Sequence, residues 1–420
     1  MKDFDRLWIW DDPATAASLG WYRAVAANRK PAKFRIARTI PVGLPLTESS
    51  EAALWDELDR LTPRFLDRWR RIREDDEPLA PPVPGDSLLE LCSELTDRML
   101  THCNFCRWDC RVDRSRGAKF GACKLAAGTR VSSYFHHPGE ELVYRGNRGS
   151  GTIFFTSCNM RCAFCQNGDI STDKDNGMVV DAEELAVMAW LLRMEGCHNI
   201  NWVGGDPAIH LHTIVAAIAL LGGDFGQPDN DALARALRVK ADYFGRAVLS
   251  PRLADYANAF NAPMLWNSNF YLSDPAMKIL RLLMDVWLPD FKFGPGRCAI
   301  TLARTPRYWE TVTGYLKLIY DWGEDLTIRH LVMPDHVACC SYPVLDWIAE
   351  VMPDVPVNIM DQYRPDNFCD PTGGKYDPRY AAIARRTEVG EVQAAYDHAR
   401  GLGLNFEAIT HEKARSGLFH

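Results

Sequence analysis

The chain has 420 residues, of which 47% are hydrophobic and 25% are charged, and its formal net charge at pH 7 is −7. This is the composition of a globular protein, long enough for one large α/β domain with accessory segments or for two to three smaller domains. The negative net charge argues against the basic surface that nucleic-acid binding needs, so we expect no nucleic-acid partner.

No apolar run is long enough to cross a bilayer, and the acidic N-terminal stretch MKDFDRLWIWDDP has no signal-peptide core. We therefore expect a soluble, cytoplasmic protein with no membrane partner. In a chain without an export signal, thirteen cysteines indicate metal binding or catalysis more than disulfides.

Residues 1–90 are rich in Trp, Pro and charge, and helical periodicity over 51–73 predicts an N-terminal helical extension, to which the sequence assigns no role. The acidic, proline-rich run REDDEPLAPPVPGD then predicts a linker that no helix crosses. A short helix, SLLELCSELTDRML, leads into a cysteine-rich segment that we place at 91–150.

The cysteine-rich segment has the spacing C-x2-C-x3-C-x12-C, formed by Cys103, Cys106, Cys110 and Cys123. Four cysteines in so short a stretch predict a metal site. Zinc is the default ion for a closed set of four thiolates, but an auxiliary [4Fe–4S] cluster fits the same spacing. We expect the site to pin this segment structurally, with redox relay or substrate binding as the alternatives.

From residue 151 onward, apolar strands alternate with helices. The strand candidates are GTIFFTS, NINWVGG, PMLWNSN, DVWLPDFKFG, TIRHLVMP and PVNIMDQY. Helices follow them, the clearest beginning at Asp181 as the N-cap, with Glu184 three residues later and Gly196 as the stop. Repeated strand–helix units predict a parallel sheet and a full or partial β/α barrel over 151–410, followed by a tail at 411–420. The carboxyl ends of such strands carry the chemistry.

The loop SCNMRCAFCQN follows the first of these strands and contains Cys158, Cys162 and Cys165 with the spacing C-x3-C-x2-C. Soft thiolates favour zinc or an iron–sulfur cluster. A structural zinc ion takes four ligands, so a zinc site would need a distant His or Cys. A [4Fe–4S] cubane held by three thiolates instead leaves one iron open for a ligand that is not protein.

This motif, with Phe164 before its third cysteine, resembles the signature of the radical S-adenosylmethionine (radical SAM) enzymes. The ordered stretches CNMRCAFCQN, NINWVGGDP, WNSN, LPDFK, IRHLVMP and NIMDQYRP resemble a branch of uncharacterised relatives of pyruvate formate-lyase activating enzyme, over roughly 95–410. The resemblance implies an α/β fold with a partial (β/α)6 TIM-like barrel. It also implies that the protein is an oxidoreductase. In this family the cluster's open iron chelates SAM, and an electron donor of the flavodoxin or ferredoxin type reduces the cluster.

The resemblance also implies which residues hold SAM. The stretch VGGDP stands where the family has Gly-Gly-Glu-Pro, with Asp206 one methylene shorter than Glu. The implied set is Gly204, Gly205, Asp206, Asn267, Ser268, Asp290, Lys292, His330 and Gln362. Plain alternatives remain open: a glycine-rich turn that caps a helix at VGGDP, a structural ion pair between Asp290 and Lys292, and a hydrogen-bonded core histidine at His330.

Cys339 and Cys340 follow the fifth predicted strand, near the expected radical site. A cysteine there is a candidate hydrogen-atom donor to a substrate radical, although free cysteines are commonly just small, buried apolar residues.

The implied reaction is reductive cleavage of SAM to a 5′-deoxyadenosyl radical, followed by abstraction of a hydrogen atom from a substrate. The family resemblance suggests a glycine Cα–H on a partner protein, as in glycyl-radical-enzyme activation. A small molecule or a ribosomal peptide is the alternative substrate, since a fold alone does not define one. The alternative that is not an enzyme is a protein with two structural zinc sites.

Overall fold

The computed structural model describes residues 4–223, 225–241, 249 and 254–415. The strands in this part of the chain are β1 Thr129–His137, β2 Ser150–Phe155, β3 Met178–Val180, β4 Ile200–Gly204, β5 Asp255–Tyr256, β6 Ala259–Phe260, β7 Met264–Ser268, β8 Val286–Pro289, β9 Ile328–Leu331 and β10 Val357–Met360.

The α-helices are α1 Pro13–Ser18, α2 Gly20–Ala26, α3 Lys33–Ala37, α4 Glu51–Glu74, α5 Leu88–Arg98, α6 Leu142–Arg145, α7 Gly168–Ser171, α8 Ala182–Met194, α9 Leu211–Gly222, α10 Asn230–Leu237, α11 Asp274–Leu283, α12 Cys298–Ala303, α13 Tyr308–Asp321, α14 Tyr342–Val351, α15 Val389–Gly401, α16 Glu407–Thr410 and α17 Glu412–Arg415. Among the described helices, none is both long enough and apolar enough to span a bilayer.

All six predicted strands form, as β2, β4, β7, β8, β9 and β10. Strands β2, β4, β7 and β8 pair in parallel, as do β9 and β10. Parallel bridges from Trp287 to Leu326 and from Asp290 to Arg329 join β8 to β9. The six strands therefore follow one another in chain order, and their carboxyl ends meet at one edge.

The predicted parallel strands β2, β4, β7 and β8 belong to a sheet that is mixed as a whole. The main sheet has the order β3-β1-β2-β4-β7-β8 and is mixed, because β1 runs antiparallel to both β2 and β3. Strand β1 was not predicted. It is followed by the four-residue helix α6 rather than by a crossover helix, so it lacks the repeated strand–helix pattern that identified the other strands.

Two predicted helices are confirmed as α8 and α5, and each begins with a capping box. Asp181 and Glu184 form a reciprocal capping box at the start of α8, and Ser87 and Glu90 form another at the start of α5. Helix α4 ends at Glu74, and the proline-rich linker after it contains no helix.

The N-terminal extension packs against the sheet rather than forming a core of its own. Phe4, Trp10 and Tyr22 share a buried cluster with Leu265 of β7 and Val286 of β8, near the amino ends of these strands. The segment from α3 to α5 contributes to the main core around the sheet. Within the predicted tail, Glu412 is buried and accepts a hydrogen bond from the Leu142 amide, while residues 416–420 lie outside the described part of the chain.

Candidate active site

The three-cysteine loop lies between β2 and α7, at the carboxyl edge of the parallel strands. Cys158 is buried and the other two cysteines are half-buried, and the three thiols are close enough to influence one another electrostatically. Burial raises the pKa of Cys158 well above its ordinary value and that of Cys162 to about 12. The free thiols are therefore protonated at neutral pH, and metal binding would release their protons.

Hydrogen-bond donors surround these sulfur atoms. The Met160 amide donates to Cys158 Sγ at 3.3 Å and Asn269 Nδ2 approaches the same sulfur at 3.6 Å, while Ser171 Oγ donates to Cys165 Sγ at 3.2 Å. Such donors stabilise a thiolate and tune a bound metal group. Nothing in the sequence indicated that Ser171 would contact a cysteine, apart from its position shortly after the third cysteine.

The thiol spacing fits a group larger than one metal ion. Among the described residues, one group of His, Cys, Asp or Glu brings three ligand atoms within 4.8 Å of one another, and it contains no member of the three-cysteine loop or of the four-cysteine segment. Two thiolates on one tetrahedral zinc ion lie about 3.8 Å apart, given Zn–S bonds of about 2.3 Å. Three thiolates suit a [4Fe–4S] cluster, which leaves one iron open for a ligand that is not protein.

The four-cysteine segment packs directly against the three-cysteine loop. Trp108 Nε1 donates to the Asn159 carbonyl at 2.7 Å, and Ser157 Oγ donates to the Cys123 carbonyl at 2.7 Å. A third bond joins the Arg161 guanidinium to the Ala122 carbonyl at 2.5 Å. Burial raises the pKa of the Cys103 and Cys106 thiols. The two cysteine sets therefore share one hydrogen-bonded unit.

Gly204 and Gly205 contact the backbone of β2 and of the cysteine loop. A Cβ on Gly204 would lie 2.1 Å from the Phe155 nitrogen, and one on Gly205 would lie 1.6 Å from the Ser157 carbonyl oxygen. The Gly205 amide also donates to the Phe155 carbonyl at 2.8 Å. Because neither glycine has a side chain, the end of β4 can pack directly on the end of β2 and the start of the cysteine loop.

Asp206 connects the ends of β4 and β7. One carboxylate oxygen accepts from the Ala208 amide and so caps the turn at 207–210, while the other accepts from Ser268 Oγ at 3.0 Å and from the Asn269 amide at 3.1 Å. Burial raises the pKa of Asp206 to about 6, against these hydrogen bonds. Asn269 Nδ2 in turn donates to Asn159 Oδ1 at 2.7 Å, so this network ends in the cysteine loop.

Asp290 and Lys292 form an ion pair of 2.5 Å. Burial lowers the pKa of Lys292, but the Asp290 carboxylate, together with Cys162 and Cys165 in their thiolate form, outweighs burial and raises it. The ammonium group in turn opposes the rise in the pKa of Cys162. The structure therefore brings Lys292 to the cysteine loop.

A cavity of about 250 Å³ lies over the strands beside this loop. Gln166 and Asn167 of the loop line one side, and Asn267 and Gln362 are the members of the predicted SAM-binding set that line it. Gln166 Nε2 donates to the Gln362 carbonyl at 3.0 Å, which joins the cysteine loop to the end of β10. Other lining residues are Phe154, Val203, Arg329, Asn358, Glu140 and Glu141.

The lining of the cavity includes a buried charge network that the sequence did not reveal. Arg329 donates to Glu141 at 2.6 and 2.7 Å and also binds Glu140. Asn358 Nδ2 donates to Glu141 at 2.7 Å, and Asn201 Nδ2 donates to Glu140 at 3.0 Å. Burial by itself raises the pKa of Glu141, but Arg329 overcomes this and lowers it to about 2. Glu140 and Glu141 directly precede helix α6, which the sequence did not predict. They do not follow a predicted strand, so no motif indicated them.

Among the described residues, buried polar atoms near this network that have no hydrogen-bond partner include Asn267 Nδ2 and Asn201 Oδ1. An unpaired buried donor and acceptor are costly unless a ligand or water satisfies them.

A larger open groove of about 900 Å³ lies beside the four-cysteine segment. Its lining includes Cys106, Arg107 and Arg307 but no residue of the three-cysteine loop. The smaller cavity is therefore the better candidate for substrate binding.

The structure does not bring His330, Cys339 or Cys340 to the cavity lining. His330 is fully buried, and its two ring nitrogens lie 2.8 Å from the Phe291 carbonyl and 2.9 Å from Ser341 Oγ. Cys339 is exposed and Cys340 is buried, with their sulfur atoms 3.9 Å apart in a π-helical turn at Val337–Ser341. Their assignments as a SAM ligand and as hydrogen donors stay predictions.

His330 gives an expected pH effect on stability. Burial lowers its pKa from 6.5 to about 4, so the folded state binds fewer protons than the unfolded state between these values. The stabilisation is complete above pH 6.5 and is lost as the pH falls toward 4, by about 2–3 kcal/mol. Urea unfolding at pH 7.5 and 4.5 should show a larger loss for wild type than for His330→Gln. Equal losses would contradict the assignment of a neutral buried histidine.

Comparisons with known proteins agree with this arrangement. Residues 152–246 match the family model described as the radical SAM superfamily. The chain is 32% identical over 397 residues to Uncharacterized protein MJ0674 of Methanocaldococcus jannaschii, which covers 92% of this chain and 98% of that protein.

Two solved structures of Streptococcus suis SuiB also align with the chain. The structure bound to S-adenosylmethionine aligns with a TM-score of 0.36 and 13% identity, over 60% of this chain and 48% of SuiB. The structure bound to the precursor peptide SuiA aligns with a TM-score of 0.37 and 12% identity, over 84% of this chain and 62% of SuiB. The chain thus spans less than two thirds of either SuiB chain, and TM-scores this low establish no common fold. The sequence matches decide the family: the chain belongs to the radical SAM superfamily and, within it, to the family that it shares with the Methanocaldococcus jannaschii protein MJ0674.

Proposed function

We propose that the chain is a radical SAM enzyme that cleaves SAM reductively and abstracts a hydrogen atom from a substrate. The observation that carries the proposal is the three-cysteine loop of a radical SAM domain, whose three thiols lie close together at the carboxyl edge of the parallel strands. Cys158, Cys162 and Cys165 would hold a [4Fe–4S] cluster. The six parallel strands in chain order support a partial (β/α)6 barrel, in which this loop occupies the active edge.

The cluster, reduced by an external donor of the flavodoxin or ferredoxin type, would supply one electron to split SAM into methionine and a 5′-deoxyadenosyl radical, which becomes 5′-deoxyadenosine on taking a substrate hydrogen atom. The protein's own residues would position the reactants. Asn269 and Ser171 would donate to ligand sulfur atoms, and Asp206 would keep Asn269 in place. Lys292, next to the loop, would bind the SAM carboxylate.

The cavity favours a small polar group as the part of the substrate that meets the radical. Its volume of about 250 Å³ suits one residue of a protein or peptide, or a small molecule. The unpaired Asn267 amide, which lines the cavity, would hydrogen-bond that group. A glycine Cα–H on a partner protein fits this description, and a small molecule or ribosomal peptide is the alternative.

We also propose that the four-cysteine segment binds a metal centre, either zinc or an auxiliary iron–sulfur cluster. Cys106 lies close enough to Cys103, Cys110 and Cys123 for the four thiols to influence one another electrostatically. The segment's direct bonds to the three-cysteine loop support either a structural role or electron relay.

Electron paramagnetic resonance tests the proposed function. Anaerobically reconstituted protein, reduced with dithionite, should give a [4Fe–4S]⁺ signal that changes when SAM is added, because SAM takes up the open iron site. Protein that binds two zinc ions per chain and takes up no iron would overturn the proposal in favour of a structural zinc protein.

Lys292→Met should raise the KM for SAM about tenfold or more, because the variant loses the cation near the loop. Iron content should be unchanged, since Lys292 is not a ligand. Lys317→Met removes an exposed pair with Asp321 and serves as the control, with no expected effect. A variant with the wild-type KM would refute the role of Lys292.

A further inference from the structure

A cluster of metal-ligating side chains lies outside the site described above. Cys298 is the first residue of α12. His336 directly precedes the π-helical turn that follows β9, and Cys339 lies within that turn. One ligand atom from each of the three residues lies within 4.8 Å of the other two. The Cys298 and Cys339 sulfur atoms are 3.7 Å apart. This matches the edge of about 3.8 Å expected for two thiolates on one tetrahedral zinc ion.

The imidazole of His336 is oriented as a metal ligand would be. Its Nδ1 lies 2.7 Å from the Pro334 carbonyl oxygen, so Nδ1 carries the hydrogen and donates it to that oxygen. The lone pair of the neutral ring is then on Nε2. Metal-bound histidines commonly use one nitrogen for the ion and the other for such a backbone bond.

We propose that Cys298, His336 and Cys339 bind one zinc-type ion through two thiolates and one imidazole nitrogen. Two thiols and a histidine suit zinc, and binding would release the two thiol protons to solvent. Because Cys339 is exposed, the fourth coordination position faces solvent and takes a water molecule. Cys340 Sγ is 3.9 Å from Cys339 Sγ but is not part of the three-atom group, so the proposal assigns it no ligand role.

The ion would join two loops at the active edge. The loop after β8 carries Lys292 and reaches Cys298, and its Gly294 packs so closely on the turn after β9 that a Cβ would lie 2.1 Å from the Cys339 carbonyl oxygen. A metal-bound Cys339 has no hydrogen to donate, so this site and the hydrogen-donor role of Cys339 exclude each other. The proposal does not depend on the proposed function, because it concerns metal binding alone.

Cobalt titration of the metal-free full-length chain tests the site. Wild type should bind one more Co²⁺ per chain than Cys298→Ser or Cys339→Ser, with a stronger thiolate-to-cobalt charge-transfer band. His336→Gln should weaken this cobalt ion about 10–100-fold. Cys340→Ala and Cys369→Ala, which keep all three ligands, should bind as wild type does, and circular dichroism should show all variants folded.

Three results would contradict the proposal. The first is the same cobalt count and band intensity in wild type and both serine variants. The second is a Cys298–Cys339 disulfide found by mass spectrometry in protein purified under reductant. Loss of the ion in Cys340→Ala would likewise contradict the three-ligand assignment.

Discussion

Gly205→Ala should prevent the cysteine loop from assembling and lower stability by several kcal/mol. The added Cβ would lie 1.6 Å from the Ser157 carbonyl oxygen and 2.5 Å from the carbonyl carbon, so backbone rather than a flexible side chain would have to move. The bonds from Gly205 and Asp206 amides to the Phe155 and Ser157 carbonyls would break with it. Thermal unfolding and iron content after reconstitution measure the effect.

Gly314→Ala is the matched control. Gly314 is an exposed glycine inside α13 with nothing within 4 Å of its added Cβ. Alanine there should be neutral or stabilising by about 0.5–1 kcal/mol, since it favours the helix. If Gly205→Ala melted and took up iron like wild type, the close packing of VGGDP on the cysteine loop would be refuted.

Arg329→Met should destabilise the protein by about 3–5 kcal/mol, because it leaves two buried carboxylates without their cation. Glu140 and Glu141 are only 4% and 3% exposed. Arg400→Met, which loses exposed pairs with Asp397 and Glu407 and a contact over the Phe406 ring, is the control and should cost at most about 1 kcal/mol. Urea unfolding at pH 7.5 compares the three proteins.

The pH dependence of the Arg329→Met effect has a definite sign. In wild type the folded-state pKa of Glu141 is about 2, below its ordinary 4.5, so its stabilisation is present above pH 4.5 and is lost as the pH falls toward 2. In the variant, burial without Arg329 raises this pKa, so the folded state favours protonated Glu141. The gap between wild type and variant should therefore widen from pH 4.5 to 8. A constant gap would contradict the charge network.

The strands and helices of the parallel part were predictable because their signals are local. Asp181 and Glu184 identify the start of α8 within four residues, and each parallel strand is an apolar run that ends in polar residues. The cysteine spacing likewise predicted a metal-binding loop without knowledge of the fold. Strand β1 escaped prediction because it pairs antiparallel with both β2 and β3, which no local period records.

The charge network and the role of Asp206 required the tertiary structure. Arg329 meets Glu141 across 188 positions of sequence, and neither residue's neighbours indicate the other. The motif around Asp206 predicted a contact to SAM, whereas its carboxylate is already bonded to Ala208, Ser268 and Asn269. Sequence identified the residue types at the active edge, but not which of them bind one another.

Formation of 5′-deoxyadenosine tests the central claim most directly. Anaerobically reconstituted protein, incubated with SAM and dithionite, should produce 5′-deoxyadenosine and methionine in equal amounts. The variant with Cys158, Cys162 and Cys165 all changed to Ala should produce neither, while keeping the metal of the four-cysteine segment. Equal production by wild type and this variant, or none by iron-loaded wild type, would contradict the assignment of the three-cysteine loop.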